Sequence, residues 1–82
     1  MQSELFLKCL GLIILQKRST AGISQEKLGE LASLHRTYIS DVERGSKNLT
    51  INTLIKISNA LNVSPSELLS LTERKYSNES RS

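Results

Sequence analysis

Apolar residues recur at spacings of three and four along most of this chain, a period that predicts helices and not strands. Leu5, Phe6, Cys9, Leu10, Ile13 and Ile14 trace one stripe and predict a first helix from about Ser3 to Ser19. Leu12 and Leu15 broaden the stripe, so cover on two sides is expected. Gly22 breaks it. Ser24 is placed to cap a second helix, with Glu26 in the first turn, where the backbone dipole favours an acid. Leu28, Leu31 and Ala32 are its expected inward residues. Gly29 inside this helix costs about 1 kcal/mol relative to Ala, so it predicts that another backbone comes very close. A turn at Ser33–His35 leads to a third helix, Arg36 to Glu43, with Ile39 and Val42 facing inward and Leu34 packing at the turn. Gly45 can take the left-handed conformation that ends helices.

Thr50 is the expected cap of a fourth helix, with a core face of Ile51, Leu54, Ile55, Ile57 and Leu61. Ser64-Pro65-Ser66-Glu67 reads as a capping box: Ser64 takes an orphan amide, Glu67 reaches back, and Pro65 fills the first helical position. Leu68, Leu69 and Leu71 continue a fifth helix. From Thr72 the chain is polar, which predicts a domain over residues 1–72 and a disordered tail over 73–82. The fold class expected is all-α, a compact five-helix domain.

At 82 residues, such a domain buries only about 60–65% of its unfolded surface, so association would add stability. The fourth-to-fifth helix turn and the fifth helix (Asn62, Val63, Leu68, Leu69, Leu71) are the expected self-association surface. Eleven Lys and Arg against eight Asp and Glu leave a formal charge of +3, compatible with a polyanion partner but no proof of one. The run from Leu10 to Leu15 is too short to span a bilayer. No basic start and no small-residue cleavage site mark an export signal. A cytoplasmic protein without membrane contact is expected.

Catalysis finds no purchase in this sequence. Cys9 is the one cysteine and His35 the one histidine, too few for a metal cluster or a disulfide. No Ser/His/Asp arrangement and no phosphate-cradling glycine loop appear, so no catalytic residue, no metal and no cofactor is expected.

Residues Gln25 to Arg44 carry the chemistry instead. Two short helices joined by a tight turn, the second polar on one side, form the layout that pushes a helix into the major groove of DNA. Arg36 can present its fork to guanine O6 and N7, worth about 1–3 kcal/mol of discrimination. Thr37 can touch a thymine methyl or a base edge, and Ser40 lies one turn beyond Arg36 on the same face. These three are the expected base readers. Gln25 at the start of the second helix can hold a phosphate. Tyr38 is a phosphate or groove-edge contact, with packing against the loop as its competitor. Arg44, Lys47 and Asn48 are placed to clamp the phosphate backbone, which orients a protein without reading sequence. The plain alternatives are an exposed helix-start arginine for Arg36, a helix-start role for Thr37, and solvated surface side chains for Ser40, Arg44 and Lys47.

Gly22-Ile-Ser-Gln-Glu, Leu28, Thr37-Tyr-Ile-Ser, Glu43-Arg-Gly, Leu54 to Leu61 and Val63-Ser-Pro together resemble the phage-repressor-like (Cro/XRE) helix-turn-helix family, over about Leu10 to Leu69. His35-Arg-Thr-Tyr-Ile-Ser, Glu43-Arg and Asn48-Leu-Thr-Ile resemble, more narrowly, the controller proteins of restriction–modification systems. The resemblance implies a lambda-repressor-like fold, an ion pair between Arg18 and Glu43, and a homodimeric transcription regulator on a roughly palindromic operator in double-stranded DNA. It also implies activation at low dose, with RNA polymerase as a further partner, and repression when a second dimer fills a weaker site. Three positions depart from the family: Gly29 for the usual Ala, Ser33 for the usual Gly, and Lys17 for a core aliphatic. A phage-type repressor or an antitoxin of the same fold, or a protein-interaction module without DNA binding, are the alternatives.

Overall fold

Helices α1 (Ser3–Thr20), α2 (Gln25–Ala32), α3 (Arg36–Glu43), α4 (Ile51–Ala60) and α5 (Pro65–Ser80) follow one another in the computed structural model, which describes residues 1–81. No strand occurs among the described residues. Four of the five starts are set by side chains that accept an otherwise orphaned amide. Ser24 Oγ accepts from Lys27 N–H at 3.0 Å and His35 Nδ1 from Thr37 N–H at 3.0 Å. Thr50 Oγ1 accepts from Thr53 N–H and Ser64 Oγ from Glu67 N–H, both at 3.1 Å. Gly22 and Gly45, at φ +73° and +75°, lie just beyond α1 and α3.

Each helix commits one side chain to a common centre. Ile14, Leu28, Ile39, Ile57 and Leu68, one from each of α1 to α5, have no exposed surface at all. Burying five side chains of this size stabilises the fold by about 1.5–3 kcal/mol apiece before entropy is counted. Helix α1 runs beside α5 and against α3, while α2 bridges α3 and α4. Two close approaches depend on missing side chains. A Cβ at Gly29 would lie 2.5 Å from the Leu34 carbonyl oxygen, the tight backbone contact expected there. One at Gly11 would lie 2.5 Å from the carbonyl oxygens of both Val42 and Glu43, which seats α1 on the end of α3.

Several side chains expected inside are outside. Ile51 is 70% exposed, Ile55 40% and Leu31 52%, and Leu12 also faces out. At roughly 100° per residue, Leu54, Ile57 and Leu61 share one side of α4, and Ile51 and Ile55 lie about 60° and 100° round from Leu54. Ser58 occupies the buried position between, donating its hydroxyl to the Leu54 carbonyl at 2.7 Å. Leu68, expected at a self-association surface, is in the core, and Val63, Leu69 and Leu71 are half-buried against it.

The capping box is half made. Ser64 caps as expected, but the Glu67 carboxylate accepts from Lys17 Nζ at 3.1 Å. That contact also accommodates the unusual lysine on α1.

The expected disordered tail over 73–82 is corrected as well. Helix α5 continues to Ser80, while Ser82 lies outside the described residues. Thr72 is fully buried and donates to the Leu68 carbonyl at 2.7 Å. Tyr76, one turn on, packs its ring on Phe6 with centroids 6.0 Å apart, and its hydroxyl accepts from Gln2 N–H at 2.7 Å. Leu68, Thr72 and Tyr76 form a stripe at four-residue spacing along α1, so this polar stretch has a partner to fold on.

Candidate nucleic-acid interface

Helix α3 is two turns long and sharply two-sided. Ile39, Val42 and Glu43 are buried, while Arg36 and Thr37 are exposed and Ser40 is half-exposed. Its entry is built by Ser33, which takes the left-handed conformation (φ 57°, ψ 43°) that the turn requires. Serine adopts it here where glycine would do so at less steric cost. His35 then caps the helix, so the sole histidine has a structural task at the rim of the face.

The far end is held from inside. Arg18 of α1 donates from Nε to Glu43 Oε2 at 2.6 Å and from Nη2 to Glu43 Oε1 at 3.1 Å. Its remaining terminal nitrogen donates to the Ile23 carbonyl at 3.0 Å. The hydrogen bond to Glu43 holds the Arg18 guanidinium above its ordinary value, outweighing the opposite effect of burial. The Glu43 side chain is 2% exposed. A buried charge is tolerable only when paired and hydrogen-bonded in this way. The ion pair implied by the family resemblance is therefore present.

Gln25 joins this network: its Nε2 donates to Glu43 Oε1 at 2.9 Å. Its side-chain amide is turned to the inside, and it is the capped start of α2 that faces outward at this position. Tyr38 is half-buried with its ring against the core. Lys47 and Asn48 are exposed in the segment between α3 and α4.

Arg36, Thr37, Ser40 and Arg44 come together around one shallow depression of about 150 Å³. Its fifth residue, Asp41, escaped the sequence reading. Arg44 Nη1 donates to Ser40 Oγ at 2.8 Å, and Arg44 Nη2 donates to Asp41 Oδ1. The signal was available: Asp41 stands four residues after Thr37 and three before Arg44, the spacing that places side chains on one helix face. Gly11 was missed too, although the argument applied to Gly29 fits it equally. No group of His, Cys, Asp and Glu among the described residues could hold a metal ion, and no helix is long and apolar enough to cross a membrane.

Two short helices at a tight turn, the second displaying a polar face and anchored from within, define a helix-turn-helix domain. Residues 14–68 match the helix-turn-helix family, and the chain belongs to it. It is similar to control protein C.BamHI of Bacillus amyloliquefaciens, with 52% identity over 54 residues, 66% of this chain and 67% of that protein. The crystal structure of the restriction–modification controller protein C.AhdI from Aeromonas hydrophila superposes with a TM-score of 0.74 at 37% identity, covering 76% of this chain and 94% of that one. The controller protein C.Esp1396I, solved as a tetramer with its natural 35 base-pair operator, gives a TM-score of 0.79 at 35% identity, over 87% of this chain and 93% of its own.

Proposed function

We propose that the chain is a sequence-specific DNA-binding transcription regulator that works as a homodimer, the controller protein of a restriction–modification system. The observation that carries this reading is the two-sidedness of α3. One side is fixed by Ile39, Val42 and the Arg18–Glu43 pair, and the other presents Arg36, Thr37 and Ser40 to solvent. In the bound state α3 lies in the major groove, with Arg36 reading guanine and Thr37 and Ser40 completing the base contacts. The start of α2 at Gln25 faces the phosphate backbone with its free amides. Tyr38 and Arg44 border the groove, and Lys47 and Asn48 lie toward the backbone beyond α3. The operator lies in the cytoplasm with the rest of the DNA, and RNA polymerase is the second partner when the protein activates.

One α3 face offers too few readers for a genomic address, and a two-fold dimer doubles the footprint with half-sites roughly 10 bp apart. Leu68 of α5 is occupied by the chain's own core, with Leu69 and Leu71 half-buried against it. The exposed Ile51 and Ile55, one turn apart on α4, are the surface assigned to the second copy. The neighbour C.Esp1396I is a multimer on its operator, which supports the assembly.

Binding of selected duplexes should weaken steeply between about 50 and 200 mM salt, because each phosphate contact releases counterions. Arg36→Ala should relax preference at a G·C pair, whereas Lys47→Ala should weaken every duplex alike and lower the salt slope by roughly one. Flat salt dependence, or no duplex binding, would reject the reading.

A further inference from the structure

The polar face of α3 contains one residue that binding a polyanion does not call for. Asp41 sits among Arg36, Thr37, Ser40 and Arg44 around the same depression. A bare carboxylate there would repel phosphate and weaken every complex. The Asp41 carboxylate is not bare, because it accepts from Arg44 Nη2 while Arg44 Nη1 donates to Ser40 Oγ. The Arg44 side chain is 63% exposed and that of Asp41 21%. The acid lies beneath and the guanidinium lies on top, spread across two partners on one helix face.

We propose that Asp41 is a positioning residue, and that the guanidinium it holds makes Arg44 a base reader at the C-terminal end of α3 instead of a phosphate clamp. The inference rests on the DNA-binding reading above. A phosphate clamp gains little from being fixed, since a phosphate offers oxygens in several directions. A base edge offers two acceptors in one plane, and a planar fork already held in place loses less rotamer freedom on meeting them. Two of the five guanidinium hydrogens are used by Ser40 and Asp41. The Nε hydrogen and one on each terminal nitrogen remain, enough for paired bonds to guanine O6 and N7. The Asp41 charge beside the fork also disfavours a phosphate oxygen and leaves the neutral base edge as the better acceptor. Arg36 and Arg44 begin and end the face, roughly 12 Å apart along the helix axis at 1.5 Å per residue. They therefore address different base pairs.

The test selects duplexes from a random pool with the wild type and with Arg36→Ala, Arg44→Ala, Asp41→Ala and Asp41→Asn, and measures each variant's melting temperature. Arg44→Ala should abolish preference at one base pair that differs from the pair relaxed by Arg36→Ala. Asp41→Ala should relax that same pair roughly tenfold with an unchanged salt slope. Asp41→Asn, whose amide oxygen still accepts from Arg44, should keep most of the preference. Two results overturn the inference. In the first, Asp41→Ala tightens all duplexes alike with preferences intact, which is simple loss of repulsion. Alternatively, Arg44→Ala lowers the salt slope by about one and alters no preference, which is a clamp. A wild type that selects no duplex removes the DNA-binding reading as well, an outcome distinguishable because Arg36→Ala then has no effect either. If Asp41→Ala does not fold, Asp41→Asn and Arg44→Ala still decide.

Discussion

Both carboxylate oxygens of Glu43, at the end of α3, are held by the Arg18 guanidinium of α1, at 2.6 and 3.1 Å. The Glu43 side chain is 2% exposed and that of Arg18 16%, so salt screens the pair less than it would a surface pair. Glu43→Ala leaves the part-buried Arg18 charge with the Ile23 carbonyl alone. The expected loss is about 3–5 kcal/mol, and the melting temperature should fall by more than 10 °C for a domain of this size. By contrast, Lys17→Ala, which breaks the half-exposed pair with Glu67, should cost well under 1 kcal/mol by this route. Thermal denaturation of the two variants at low and high salt separates the cases.

Gly29 and Gly22 are glycines for opposite reasons. Gly29 is helical and faces the Leu34 carbonyl at a distance no Cβ tolerates, whereas Gly22 has open space but a left-handed φ of +73°. Gly29→Ala should destabilise by about 1–3 kcal/mol despite better helix propensity, because backbone must move. Gly22→Ala should cost about 1 kcal/mol through conformation alone. Urea titrations give both values, and a stabilised Gly29→Ala would refute the close approach.

Ile51 and Ile55 contribute little to the monomer's interior. If they meet a second copy, Ile51→Glu and Ile55→Glu should raise the dimer dissociation constant by at least tenfold while leaving the far-ultraviolet spectrum unchanged. Sedimentation at several concentrations reads this directly. Unaltered association would place the interface elsewhere.

Residues 73–80 are helical because Tyr76 has Phe6 and the Gln2 amide to meet. Tyr76→Ala removes a half-buried ring contact and the hydroxyl that accepts from Gln2 N–H, and should cost about 1 kcal/mol. Ending the chain after Thr72 should lower helicity by more than a frayed tail would. Circular dichroism of the two variants tests it.

Cys9 is buried in α1, and burial pushes its thiol above the ordinary value, with Glu79 adding to the rise and Lys75 opposing it. The folded state therefore keeps its proton when the unfolded chain would lose it. The contribution is fully present below the unfolded thiol's pKa and is lost as pH rises through the folded value. Alkylation of the native protein near pH 8 should be slow and should accelerate on adding denaturant. Rapid native alkylation would contradict the burial.

The helix boundaries other than the end of α5 were legible because their determinants are local. Ser24, Thr50 and Ser64 announce caps, and Gly22 and Gly45 announce ends, without reference to the rest of the chain. The inward faces of α4 and α5 were less legible, for one shared reason. Ser58 and Thr72 read as surface residues because they are polar. Each hides its hydroxyl by bonding the carbonyl four residues back, which satisfies the group locally and frees the position for the core. Once Ser58 takes an inward place, Ile51 and Ile55 are displaced to the flank. Asp41 was overlooked because a carboxylate looks wrong on a face meant for DNA. Its meaning depends on Arg44, which no single-position argument contains.

The one-sided anchoring of α3 has a consequence for how such regulators diverge. Everything that seats the helix, from Ile39 to the Glu43 carboxylate, points away from Arg36, Thr37, Ser40, Asp41 and Arg44. On the proposed reading, address and chassis are thus written in separate letters of the same eight-residue segment and its cap. If that reading holds, grafting those five outward side chains between relatives should transfer the preferred sequence while the melting curve stays where it was.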